Sequence, residues 1–344
     1  MVSACYAATF MTAALLAPFW GRLSDRYGAR VNLLRASFGM LISMTLTSFA
    51  RTPLELLLCR SLVGIAGGYT SGAARLIAKR KNNKGGLAQG MFSSSIFLGS
   101  LIGPPLGSWF SQFFGMEGAL RLTAAMILFN CAATCFLSQD TENSSTQQRK
   151  LSPFDKSYFK FAVIYMTVIA IVMAASVSIE PNISTYVMIY GHTDNVIKGA
   201  GFALAAIAVA SIVSATIFGY LGDKIGYKAV IAFGLITGSV ILILHAFVET
   251  LWEIVAIRFC LGLALGGIIP CIRAYIKMAF KPDSVGSLIG LTTSAQYIGQ
   301  VVGPVSAGLI AARWGLNPVF YITGIFVILG ALLVCCDRQR ITAC

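Results

Sequence analysis

The sequence predicts an all-α membrane protein of about eleven transmembrane helices in two pseudo-symmetric halves. Three observations predict it. Hydrophobic residues make up 57% of the 344 and charged residues only 11%, where a soluble domain carries roughly 25% charged. The apolar residues gather in runs of about 20, the length that crosses a hydrocarbon core of about 30 Å. The decapeptide GRLSDRYGAR at 21–30 returns as GYLGDKIGYK at 219–228, an offset of 198 residues.

The apolar runs lie near 3–20, 31–50, 54–77, 87–111, 119–138, 158–189, 199–220, 229–248, 252–276, 285–312 and 317–336. In lipid every backbone polar group must be satisfied internally, which leaves helices or a closed barrel. The period-two alternation of a barrel is absent, so the runs are read as helices. The 198-residue offset also carries Arg60 onto Arg258, Gly64 onto Gly262, Gly68 onto Gly266 and Arg75 onto Arg273. A second pair, GSLIGPPLG at 99–107 and GQVVGPVSAG at 299–308, repeats with a shift of 200. Duplicated halves of this kind are the architecture of secondary transporters, with the substrate path between them.

The net charge of +13 invites a nucleic-acid reading, but its placement points to a bilayer instead. Eighteen of the 26 Lys and Arg fall in alternate loops and flanks: 21–35, 79–84, 149–160, 224–228, 277–281 and 338–340. The opposite set holds four, namely Arg51, Arg121, Lys198 and Arg313. By the positive-inside rule the basic loops are cytoplasmic. The expected place is the bacterial inner membrane, with the N-terminus as written outside and the C-terminus inside.

The long polar segment 139–157, QDTENSSTQQRKLSPFDKS, reads as a cytoplasmic linker. It divides a five-span half, 1–138, from a six-span half, 158–344. The run at 158–189 has no counterpart, because subtracting 198 places it before Met1. The first half is therefore expected to lack its opening helix, and the DNA upstream of the Met1 codon to encode one further apolar run.

GRLSDRYGAR resembles motif A of the major facilitator superfamily through Gly21, Asp25, Arg26, Gly28 and Arg30. The second copy keeps Gly219, Asp223, Lys224 and Gly226. The glycines permit a tight turn between helices, and the carboxylate is suited to helix N-terminal amides or to a basic partner. The resemblance implies a gating latch. RSLVGIAGG at 60–68 resembles motif B, with Arg60, Gly64 and the repeated Arg258; the family's usual Gln is replaced by Val63. It implies a part in proton transfer, beside the plainer reading of a packed arginine. GMFSSSIFLGSLIGPPLGS at 90–108 resembles motif C, with Gly90, Gly99, Gly103, Pro104 and Gly107. That motif marks the drug:proton antiporter branch. Its small residues let a helix approach its neighbour closely, and Gly-Pro bends it.

The resemblance covers essentially the whole chain. It implies a major facilitator fold and proton-coupled export of drug-like molecules by alternating access, from a monomer. Two alternatives stay open: a facilitator-type importer of a sugar, nucleoside or organic anion, and an inactive N-terminally truncated transporter.

Among the acidic residues, Glu180 stands inside an apolar run, followed by Pro181. A carboxylate in a span is a candidate proton carrier, because protonation removes its desolvation cost; a position near the outer end that reaches water would explain it equally. Arg75 and Arg273 either snorkel to the cytoplasmic surface or attract an anionic substrate group. Tyr69, Tyr165, Tyr186 and Tyr275 either pack between helices or line a pocket for flat apolar drugs.

Other chemistries find no motif. There is no phosphate-binding loop of the G-x4-G-K-[ST] type. The nine cysteines and two histidines have no metal-ligand spacing. Neither an enzyme, a cofactor, a bound metal nor a nucleic-acid partner is expected. The expected partners are a drug-like small molecule, protons and the lipid bilayer.

Overall fold

The computed structural model describes residues 2–79, 85–136, 156–192, 195–280 and 282–337. They form helices α1 (Val2–Tyr27), α2 (Ala29–Thr47), α3 (Pro53–Ala66), α4 (Tyr69–Lys79) and α5 (Gly85–Cys135). After the linker follow α6 (Lys156–Val177), a 3-10 turn (Glu180–Asn182), α7 (Ile183–Tyr190), α8 (Val196–Ile225) and α9 (Tyr227–Leu244). The chain closes with α10 (Leu251–Leu265), α11 (Ile268–Ala279), α12 (Pro282–Trp314) and α13 (Asn317–Cys336). No strand occurs among the described residues, and the linker at 139–157 lies almost wholly outside them.

Six stretches among the described residues are long and apolar enough to cross a membrane: Glu117–Cys135, Lys160–Val177, Lys198–Ile225, Tyr227–Phe247, Leu251–Ala279 and Asn317–Cys336. Large apolar side chains face outward along several helices, with Leu15 at 75% and Phe129 at 77% exposure. A soluble protein rarely presents so much apolar surface, whereas a bilayer covers it.

Local sequence explains where the helices start and stop. Gly28 (φ 88°) and Gly226 (φ 97°) make the turns α1–α2 and α8–α9 in a backbone region that other L-residues avoid. Capping boxes open α3 and α10. Thr52 accepts the Glu55 amide at 3.2 Å while Glu55 accepts the Thr52 amide at 3.3 Å. Thr250 and Glu253 do the same at 3.4 and 3.2 Å. Gly115 (φ 70°) bends α5 into two spans, matching the two apolar runs at 87–111 and 119–138. The run at 158–189 is not one helix: α6 ends at Val177 and the chain passes through Glu180 and Pro181 before α7, as a proline without an amide donor favours.

The chain forms two compact units. The first comprises Met1–Lys79, Gly107–Met166 and Lys281–Ser294. Inside it, Gly64 of α3 lies so close to α1 that an added Cβ would stand 2.2 Å from the Thr9 carbonyl oxygen. Gly290 of α12 also lies close to α1, with 2.7 Å from such a Cβ to the Ala17 carbonyl oxygen, and Ser294 donates to the Ala14 carbonyl at 2.7 Å. The second unit comprises Arg80–Leu106, Thr167–Phe280 and Ala295–Cys344. Inside it, a Cβ added to Gly262 of α10 would stand 2.5 Å from the Ile207 carbonyl oxygen of α8, and one added to Gly90 of α5 would stand 2.2 Å from that of Ala215. Ser94 donates to the Ile212 carbonyl at 2.5 Å.

These contacts match pair by pair at the offsets read from the sequence. Thr9 and Ile207, Ala14 and Ile212, and Ala17 and Ala215 are each 198 apart; Gly90 and Gly290, and Ser94 and Ser294, are 200 apart. The repeat is thus carried in three dimensions by the same backbone approaches and the same serine bonds.

Candidate functional site

The second copy of motif A is held by its aspartate. Asp223, near the end of α8, accepts the backbone amides of Gly86 and Leu87 at 2.9 Å each. These are among the first amides of α5, which have no partner within their own helix. The partial positive charge of a helix N-terminus favours an anion there. Tyr227 also donates its hydroxyl to the Asp223 carboxylate. Gly219 lets the two backbones meet: a Cβ there would stand 2.2 Å from the Gly86 carbonyl oxygen, and one on Gly86 would stand 2.3 Å from that of Gly219. Lys224 is exposed and lies over the Tyr220 ring at 4.5 Å.

In the first copy, Gly21 is buried against α12, its Cα 3.2 Å from a Cβ built on Gly290. Arg26 is exposed beside Tyr27. The side chain of Asp25 lies outside the described residues. The last basic position of each copy does matching work. Arg30 donates to the Cys135 carbonyl, and Lys228 donates to the Asp337 carbonyl. Each places a cation at the C-terminal end of the last helix of its repeat, where the helix dipole is negative.

The motif B arginines differ. Arg60 on α3 is half-buried. Arg258 on α10 is fully buried, and its Nε and both terminal nitrogens have no hydrogen-bond partner among the described residues. Glu180 and Tyr186 lie within its electrostatic reach. Glu180 is exposed at the head of the 3-10 turn. Tyr186 donates to the His245 carbonyl at 2.8 Å, and its hydroxyl stands 3.1 Å from His245 Nδ1. The His245 ring stacks on Phe320, 4.2 Å between centroids.

The motif C glycines divide. Gly90 packs against α8 as described, whereas nothing lies within 4 Å of a Cβ built on Gly99, Gly103 or Gly107. Their counterparts Gly299 and Gly303 press on α6: a Cβ built on each would stand 2.5 Å from the Ala170 carbonyl oxygen and 2.6 Å from that of Ala174. α5 runs on through Pro104, whose side chain lies outside the described residues.

Arg273 is 2% exposed and donates to Gln296 Oε1 of α12 at 2.9 Å, so it is engaged inside the second unit rather than reaching for the surface. The side chain of Arg75 lies outside the described residues. Tyr165, Tyr186 and Tyr275 are buried among helices, and Tyr69 accepts from Asn130 at 3.3 Å.

Sequence reading passed over Gly86, although its double glycine directly follows the basic run ending at Lys84. It also passed over a polar clamp in the first unit. Arg35 lies 3.4 Å over the Trp20 ring and donates to the Gly67 carbonyl at 2.5 Å. Trp20 donates to Ile65 (3.0 Å) and Asn32 to Gly68 (3.3 Å). Together they satisfy the carbonyls freed where α3 breaks into α4.

Comparison with known proteins bears on the family and the fold. The family model described as Major Facilitator Superfamily matches the chain twice, over residues 1–206 and 197–338. The chain is 31% identical over 330 residues to the multidrug resistance protein MdtG of Proteus mirabilis, covering 94% of this chain and 82% of that protein. It is 30% identical over 334 residues to MdtG of Dickeya zeae, covering 95% and 81%. Among solved structures, the human organic anion transporter MFSD10 superposes with a TM-score of 0.82 at 16% identity, over 96% of this chain and 83% of that one. At that identity the likeness speaks for the fold alone.

Proposed function

This chain belongs to the Major Facilitator Superfamily, and we propose that it is a proton-coupled exporter of drug-like molecules working by alternating access. The observation that carries the reading is the clasp of Asp223 on the first amides of α5. It joins the motif loop of the second repeat to the start of the motif C helix of the first. A bond of a carboxylate to two helix amides closes firmly yet involves no covalent change, which suits a gate that opens and shuts. In this reading Asp25, at the equivalent position of the first copy of motif A, belongs to the same gate.

Export rather than import is favoured by the motif C pattern at Gly90, Gly99, Gly103, Pro104 and Gly107, and by the multidrug resistance names of the relatives. In this reading Glu180 carries the coupling proton. Arg75 and Arg273 act on the substrate path from the cytoplasmic ends of α4 and α11. The protein works as a monomer in the bacterial inner membrane, with its linker and C-terminus cytoplasmic and residue 1 on the outer side.

Drug susceptibility tests this. In a host stripped of its own exporters, the gene is expected to raise the tolerated concentration of several unrelated lipophilic drugs. Greater accumulation of those drugs would instead indicate an importer, and unchanged susceptibility with correct membrane insertion would contradict transport of such compounds.

A further inference from the structure

The two copies of the motif loop differ at a matched pair of positions. The first reads Ser24 and Ala29; the second, 198 residues on, reads Gly222 and Tyr227. The exchange has a spatial reason. Tyr227 opens α9 just after Gly226, whose φ of 97° turns the chain back on itself. Its ring is buried over Gly222, where any Cβ would run into it. The ring also reaches Gly86 of α5, where a Cβ would stand 2.9 Å from Tyr227 Cε1. From that seat the hydroxyl donates to Asp223 Oδ1, the same oxygen that accepts the Gly86 amide, while Oδ2 accepts the Leu87 amide. Ala29, the matched residue of the first copy, is buried and has no side-chain donor. Tyr227 and Asp223 stand on one side of the clasp, on α9 and α8, and Gly86 and Leu87 stand on the other. The phenol bond therefore need not break when α5 leaves, and it fixes where the carboxylate points before α5 returns. A free aspartate samples several staggered rotamers. A donor that selects one of them in advance removes that ordering cost from closure.

We infer that Tyr227 is a positioning residue of the gate: its hydroxyl holds the Asp223 carboxylate aimed at the Gly86 and Leu87 amides and sets how tightly this latch closes. The inference rests on the clasp acting as a gate. It adds the residue that tunes the clasp, which the first copy, with Ala29, does not possess.

Backbone hydrogen exchange on the full chain in lipid nanodiscs, read by mass spectrometry of peptides that carry Gly86 and Leu87, tests it. These amides stand in the first turn of α5 and lack partners in their own helix, so their protection reports the bonds to Asp223. Tyr227→Phe keeps the ring and loses the hydroxyl. It is expected to speed exchange of the two amides about three- to tenfold, as the loss of one hydrogen bond does, while amides in the middle of α9 and α13 exchange as in the parent. Asp223→Ala removes the acceptor, and in that background Tyr227→Phe is expected to add nothing. Equal exchange of the two amides in the parent and Tyr227→Phe would overturn the positioning role, as would a further increase in the double variant. A rise spread equally over α9 and α13 would overturn it too, because it marks general loosening. Tyr227→Met serves the same comparison should the phenylalanine variant not insert. Faster exchange at Gly86 and Leu87 together with parental drug efflux would instead overturn the gate beneath the inference.

Discussion

The carboxylate of Asp223 and the backbone amide of Gly86 lie 2.9 Å apart although 137 residues separate them in the chain. With the Leu87 amide at the same distance, the bond ties the end of α8 to the beginning of α5. Hydrogen bonds to a charged group are worth about 1.5–3 kcal/mol each. Asp223→Asn keeps the shape and removes the charge. It is expected to loosen the clasp by about tenfold or more and to lower efflux without changing the amount of protein in the membrane. Dye efflux from cells, normalised to membrane abundance on blots, reads this. Parental efflux in Asp223→Asn would remove the gating role.

Gly86 and Gly219 exclude any side chain from their crossing, because each Cβ would stand within 2.3 Å of the other's carbonyl oxygen. Gly86→Ala and Gly219→Ala must push two backbones apart. Each is expected to lower the melting temperature by several degrees, in line with overpacking costs of about 1–3 kcal/mol. Gly99→Ala, with nothing within 4 Å, is expected to melt as the parent does or slightly higher, since alanine favours the helix. Tryptophan fluorescence in detergent during heating distinguishes the two outcomes.

Lys228 and Arg30 cap the ends of α13 and α5 through the carbonyls of Asp337 and Cys135. A cation at a helix C-terminus contributes about 0.3–1 kcal/mol. Lys228→Gln and Arg30→Gln are therefore expected to cost a degree or two of melting temperature each, with the loss shrinking as salt rises. A loss that does not respond to salt would point to packing instead.

The linker and the motif loops are expected on the cytoplasmic side. Alkaline phosphatase fused after Lys150 should be inactive, and a fluorescent protein fused there should be bright. The reverse pattern would invert the topology drawn from the placement of Lys and Arg.

Much of this architecture is legible in the chain, because its repeat fixes equivalent positions. The pairing of Gly21 with Gly219 and of Gly90 with Gly290 predicts matched helix crossings, and the structure shows them. The class of fold follows from run length and composition, since lipid leaves few ways to satisfy a backbone. What the motifs do not reveal is which atoms meet. Asp223 was expected to find helix amides or a basic partner, and only coordinates identify Gly86 and Leu87. Tyr186 and His245 carry no motif, so their bond was invisible. The motif C spacing does not say which of its glycines meet a neighbour: among the described residues Gly90 of the first copy packs on α8, nothing lies within 4 Å of a Cβ on Gly99, Gly103 or Gly107, and Gly299 and Gly303 of the second copy press on α6.

The central claim is that substrate movement is driven by protons entering the cell. Everted membrane vesicles test it most directly. Respiration acidifies their interior, which a quenched acridine dye reports. An exporter that exchanges drug for protons is expected to dissipate that gradient when a transported drug is added, so fluorescence recovers, and Glu180→Gln should abolish the recovery. Drug movement that proceeds at the same rate after the gradient is collapsed by an ionophore, with no fluorescence recovery in the parent protein, would contradict the account.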